Sequence, residues 1–170
     1  MMSTGIQPEG KKKARVRKRR RAPRQEPIYY VVQIEAWDWS FSFGINRSKL
    51  FDDPYMDYRH LQLTGRLLRP KKIKADKADI TILPNIYLNE DRRQQQKPTA
   101  VGSLNLDKGT LTGLLSMPQD ALDAVVQMLV AGRVKYIIMT GDPLRYRQGK
   151  VQSYRLEREL HEDDLPPDEG

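Results

Sequence analysis

The stretch LNLDKGTLTGLLSMPQDALDAVVQMLVAGRVKYIIMTGD, from Leu104 to Asp142, constrains the fold of this 170-residue chain more than any other. It reads as strand, tight turn, strand, one amphipathic helix and a further strand. Leu104 and Leu106 alternate with polar residues up to Asp107-Lys108-Gly109, where Gly109 suits the left-handed conformation that closes a short hairpin. Leu111, Gly113 and Leu115 then share one face of the returning strand. A helix is expected over Pro118 to Ala131, begun either by Ser116 as a cap answered by Gln119 or by Pro118 at the first helical position. Leu122, Val125, Val126 and Leu129 fall at helical spacing, with Asp120, Asp123 and Gln127 between them. Gly132 is the expected left-handed stop, and Arg133 complements the negative end of the dipole. Val134, Tyr136 and Ile138 restart a two-residue period. A helix of about fourteen residues is marginal alone, so neighbouring strands must cover its apolar face.

Charge divides the chain sharply. Residues 1–27 carry ten Lys or Arg against Glu9 and Glu26, which accounts for the whole net charge of +8. From Ile28 onward twenty basic and twenty acidic side chains balance, and Glu157 to Gly170 holds seven acids against Arg158. Residues 1–27 offer almost nothing to bury, and self-repulsion keeps such a segment disordered, so a basic arm is expected there. There are no cysteines, which excludes disulfides and thiolate metal sites. Neither a secretory signal nor an apolar run long enough to cross a bilayer is visible. The reading is a soluble protein without membrane insertion, cytoplasmic, or nuclear in a nucleated cell.

The expected domain spans 28–160, with an acidic, fraying tail at 161–170. Ile28 to Ile45 is its most apolar and aromatic part. Val32, Ile34 and Ala36 share one parity, whereas Trp37, Trp39, Phe41, Phe43 and Ile45 share the other, so a bulge or turn is expected near Ala36. Asn46 to Tyr58 reads as a loop, and Leu61 to Leu67 as a strand ending at Pro70. A strand follows at Ile80 to Leu88, where Pro84 signals an edge or bulge. Asn89 to Thr99 is polar loop, and Leu144 to Arg147 and Val151 to Leu160 are the last expected strands. The expected fold is mainly β, a single jelly-roll-like β-sandwich of about eight strands with one packed helix.

Enzymatic motifs are absent: no G-x-S-x-G, no H-E-x-x-H and no glycine-rich phosphate loop with lysine occurs. Asp52, Asp53, Asp57 and His60 could gather around a divalent ion, but loop carboxylates are commonly just solvated, and neither a metal nor a cofactor is expected. Strict alternation of Trp39, Phe41 and Phe43 with Ser40, Ser42 and Gly44 places these rings on the inner face of a sandwich. Trp37 and Tyr29 are then the expected exposed aromatics. Arg66, Arg69, Lys71 and Lys72 are further candidate surface contacts.

The strongest functional signal is KKKARVRKRRR. Lys11, Lys12, Lys13, Arg15, Arg17, Lys18, Arg19, Arg20 and Arg21 are nine cations in eleven residues. Such a run neutralises phosphates without fixed geometry, so sequence-independent nucleic-acid binding is expected. Competing explanations are a nuclear address, attraction to anionic lipid, or contact with the acidic tail. The leading expectation is a non-enzymatic binding module tethered to nucleic acid. A protein–protein adaptor whose arm is only a targeting or solubility segment stands second, and an enzyme with an unrecognised carboxylate site third.

Overall fold

Seven strands carry the apolar alternation: β1 (Ile28–Ile45), β2 (Tyr55–Arg69), β3 (Lys77–Asn85), β4 (Gly102–Asp107), β5 (Thr110–Pro118), β6 (Tyr136–Gly141) and β7 (Gln148–Glu157). Two helices join them, α1 (Glu90–Arg93) and α2 (Leu122–Val130). The computed structural model describes residues 26–47, 53–93, 97–161, 163 and 165–168, so the expected basic arm lies almost wholly outside the described residues.

The sheet order is β1-β2-β3-β5-β4-β7-β6, closed into a barrel where β6 pairs with β1 over Ile28 to Gln33. Neighbours are antiparallel except β3 and β5. The mainly β composition follows expectation, but a closed sheet of seven strands replaces the two-sheet sandwich of about eight. Closure is what the length of β1 permits. Its first half takes β2 on one edge and β6 on the other, so the two ends of the sheet meet and no edge is left there. Leu144 to Arg147 forms no strand and contributes only the isolated bridge Arg145–Gln148.

Inward side chains alternate along every strand. Tyr30, Val32, Leu61, Leu63, Ile80, Ile82, Leu104, Leu111, Leu115, Ile137, Met139 and Val151 form one core. The parity switch in β1 is a bulge between Ile34 and Ala36, which leaves Glu35 unpaired and returns Trp37 to the inward parity opposite Leu63. Gly65 makes this bulge possible, because a Cβ there would stand 1.9 Å from the Gln33 carbonyl oxygen. Pro84 lies beyond the last β2–β3 pair, Leu61–Ile82, and so stands on an edge as its missing N–H requires.

The helix is shorter than its sequence pattern. A 3₁₀ turn occupies Gln119–Ala121 before α2, because neither Ser116 nor Pro118 supplies a side-chain cap. Asn89 does so from thirty residues upstream, its Oδ1 accepting from the Gln119 N–H at 2.9 Å. At the far end the Arg133 N–H bonds to the Met128 carbonyl and Gly132 has φ +64°, the expected left-handed stop. Leu122 and Leu129 are buried in the main core, with Val125 and Val126 packed at its margin.

The acidic end does not simply hang free. Leu165 is 7 % exposed and packs with Val31 and Ile138 on the outer face of the sheet. Arg69 donates to the Pro166 carbonyl at 3.0 Å, and the Lys71 N–H to Asp168 Oδ2 at 3.2 Å.

Two predictions follow from the packing. Leu129→Ala should cost about 2–5 kcal/mol in a denaturant melt, the range for emptying an enclosed site. Burial also pushes the Tyr30 and Tyr154 hydroxyls up to about 12, each neutral hydroxyl donating to a backbone carbonyl. The folded state therefore holds protons that the unfolded chain releases. The thermal midpoint should lose nothing to these two groups up to the ordinary tyrosine value near 10 and fall as pH rises from there toward about 12. Tyr154→Phe should flatten that fall; an unchanged profile would contradict the burial.

Candidate functional site

The two rims of the barrel differ in chemistry. At one rim β1 begins, β2 ends, and the connections 70–76, 108–109 and 142–147 cross between strands. These three connections contain Lys71, Lys72, Lys74, Lys108, Arg145 and Arg147 against Asp76 and Asp142. The chain enters β1 at the same rim, since Ile28 pairs with Gly141. Asp168 meets the Lys71 N–H there too, so the described part of the acidic end lies among these cations.

The connection from β6 to β7 is built rigidly. Tyr30, fully buried, donates its hydroxyl to the Asp142 carbonyl at 2.7 Å. The Asp142 N–H bonds to the Lys150 carbonyl at 2.8 Å, and Gln152 Nε2 donates to Asp142 Oδ1 at 3.0 Å. Above this base, Arg145 and Gln148 exchange both backbone hydrogen bonds across a two-residue turn. Its central residues are Tyr146 at φ 50° and Arg147 at φ 69°. Such turns are normally made by Asn-Gly or Gly-Gly, and an L side chain with a large ring or guanidinium there costs on the order of 1–2 kcal/mol. Tyr146 nevertheless is 100 % exposed, so the strain supports no packing. The Arg147 carbonyl accepts from the Leu106 N–H at 2.8 Å, which holds the turn against β4. Beside it runs an open groove of about 1170 Å³, lined by Glu26 and Pro27 and by Ser103, Asn105, Arg145 and Lys150.

At the other rim β1 and β2 outrun their neighbours. The β6 ladder on β1 stops at Gln33 and the β3 ladder on β2 at Leu61, yet β1 and β2 stay paired to Ile45–Tyr55. The result is a two-stranded ribbon that continues the inward face of the barrel past its end. Trp39 lies opposite buried Leu61, and Phe41, Phe43 and Ile45 follow on the same face. Trp39 is 48 % exposed and Phe43 64 %. Phe43 stacks on Tyr55 with centroids 5.5 Å apart, and the Arg59 guanidinium sits 5.4 Å from the Phe41 centroid. Arg59 also pairs with Asp57 at 2.8 Å, so the only ions on this face neutralise each other.

These placements correct several expectations. The rings of Trp39, Phe41 and Phe43 have the inward parity that alternation implied, but among the described residues no second layer covers them. Trp37, expected to be exposed, is half-buried against the core, because the bulge turns it inward. Tyr29 packs in the small outer cluster around Leu165. Arg66 is exposed on β2 and donates to Gln33 Oε1 at 3.2 Å, apart from the rim. Arg69, Lys71 and Lys72 do stand at the basic rim. The expected loop up to Tyr58 is shortened, since β2 already begins at Tyr55. Asp57 and His60 fall on opposite faces of that strand, Asp57 pairs with Arg59, and Asp53 Oδ1 accepts from the Tyr55 N–H at 2.9 Å. Among the described residues no group of three His, Cys, Asp or Glu is placed to hold a metal. The nine cations from Lys11 to Arg21 lie outside the described residues. Sequence reading missed Tyr146, although an aromatic between two arginines just before Gln148-Gly149 was a visible signal.

The chain matches no family model, no curated protein and no solved structure.

A stability contrast tests the geometry of the ribbon. Phe43→Ala should change unfolding free energy by less than about 1 kcal/mol, the scale of an exposed aromatic pair. Leu61→Ala on the adjoining strand should cost about 2–5 kcal/mol. Equal losses in a denaturant melt would mean that the ribbon is enclosed.

Proposed function

We propose that this chain is a non-enzymatic binding module, tethered to nucleic acid by its polybasic arm, whose barrel offers a protein-docking surface at the opposite rim. One observation carries the reading: the connections at the rim where the arm joins carry six cations against only two acids. An arm of nine cations releases counterions from any phosphate backbone it meets, and Lys71, Lys72 and Lys74 extend the same field onto a fixed surface. At the other rim the connections are balanced, with seven cations against six acids over 46–54, 86–101 and 119–135. A phosphate backbone gains nothing there.

The test is a salt titration of labelled duplexes against the full chain and a form lacking residues 1–24. If six to eight arm cations engage phosphates, log affinity should fall against log salt with a slope of about −5 to −7. The shortened form should keep its fold and lose most of its affinity. Neutralising Asp163 and Asp168 to Asn should strengthen binding modestly, and it spares Leu165, whose loss would uncover Val31 and Ile138. Absence of binding near physiological salt would overturn the tether.

The second reading, a protein–protein adaptor, is favoured by the ribbon. Its aromatic face is apolar and internally neutral, so the simplest surface that matches it is the same face on a second copy. Five residues about half exposed, at about 150–250 Å² for each large ring, offer roughly 500 Å² per copy. Two such faces reach about 1,000 Å², the lower edge of a specific interface. Phe41→Ser with Phe43→Ser should therefore shift the full chain from dimer to monomer in light scattering. A wild-type chain that is monomeric at high concentration would remove the second copy as occupant.

A further inference from the structure

We infer that the Arg145–Gln148 turn is a contact for single-stranded nucleic acid, in which Tyr146 stacks on an unpaired base while Arg147 and Lys150 meet the flanking phosphates. The inference rests on the nucleic-acid reading above and adds to it a site on the folded body. Four observations converge on the turn. Tyr146 is the most exposed large hydrophobic side chain among the described residues, and it stands at the tip of a two-residue hairpin. Two consecutive non-glycine residues occupy the left-handed region, where a turn needing only to reverse the chain would carry Asn-Gly. The base of the turn is fixed by Tyr30 and Gln152 through Asp142, and its tip by β4 through the Arg147 carbonyl, so the ring is presented rather than trailing. Finally, the adjoining groove is lined by Glu26 and Pro27 at the root of the arm, together with Ser103, Asn105 and Lys150.

The physical sequence is direct. The arm, which ends its cation run at Arg21, holds phosphates without geometry and delivers the strand to the groove beside its root. The Ser103 hydroxyl, Asn105 amide and Lys150 ammonium suit a sugar–phosphate track, and of the two carboxylates in the same lining, Glu26 and Asp142, the second is engaged by Gln152 Nε2. A base freed from pairing can then lie on the ring of Tyr146, because every base has a π face and stacking is tolerant of sequence. A duplex keeps its bases stacked inside and cannot reach the ring. The arm thus supplies affinity for both forms, and the turn supplies preference for the unpaired one.

The experiment compares a labelled oligothymidine strand with a duplex of equal length, bound by the full chain at raised salt, where the arm contributes less. The wild type should favour the single strand. Tyr146→Ala should weaken single-strand binding roughly five- to 150-fold and leave duplex binding unchanged, as expected for one lost stack. Tyr146→Phe should retain the preference, since the ring rather than the hydroxyl acts. The double variant Tyr146→Asn with Arg147→Gly should raise the thermal midpoint, by relieving the turn, while abolishing the preference. A wild type with equal affinity for both forms overturns the inference and leaves the arm tether standing. Loss in Tyr146→Ala that is equal for strand and duplex, or a preference kept by the double variant, overturns it likewise. A full chain that binds neither probe overturns the tether and this site together.

Discussion

The structure depends on the pairing of β1 with β6. That single ladder, Ile28 to Gln33 against Gly141 to Tyr136, turns a sheet with two raw edges into a barrel. Because β1 is eighteen residues long and β6 only six, closure uses the first third of β1 and releases the rest. The remainder keeps β2 as its only neighbour. The ribbon is therefore a direct consequence of unequal strand lengths, and its aromatic face is barrel interior that has run out of barrel. The same ladder fixes where the arm enters, one residue from the connection that carries Tyr146.

A barrel organised in this way has two ends of different chemistry. Three connections at the arm's end bring cations together, while the helix α2 and the capped 3₁₀ turn close the core at the other end beside the ribbon. Neither surface is needed to stabilise the fold. The exposed rings of the ribbon bury little, and the left-handed Tyr146 and Arg147 cost stability without packing on anything. The proposed binding function rests on these features, which the fold itself does not use. The acidic end adds a counterweight, since Leu165 packs against the sheet and Asp168 accepts from the Lys71 N–H at the cationic rim.

Much of this was legible in the sequence where local signals were sufficient. Gly132, the Asp107–Thr110 hairpin, the bulge near Ala36 and the apolar stripe of α2 each followed from a few neighbouring residues. What depended on distant partners was not. Alternation in Trp39, Phe41 and Phe43 gives a common face but cannot say whether anything lies opposite it. Deciding that requires knowing that the β6 ladder on β1 stops at Gln33 and the β3 ladder on β2 at Leu61. The cap on the 3₁₀ turn before α2 came from Asn89, beyond any local window, and Leu165 found its pocket only because Val31 and Ile138 meet across the closing ladder. Tyr146 was missed for a different reason: the arginines around it were legible, but its left-handed backbone is one that its own residue type disfavours.

The central claim is that nucleic acid engages the rim where the arm enters and leaves the aromatic ribbon free. Amide hydrogen exchange on the full chain, with and without a saturating oligothymidine strand, tests it most directly. The account predicts slower exchange over 69–77 and 143–150, with residues 39–45 and 55–60 unchanged. Protection confined to 39–45 and 55–60 would contradict it and move recognition to the aromatic face.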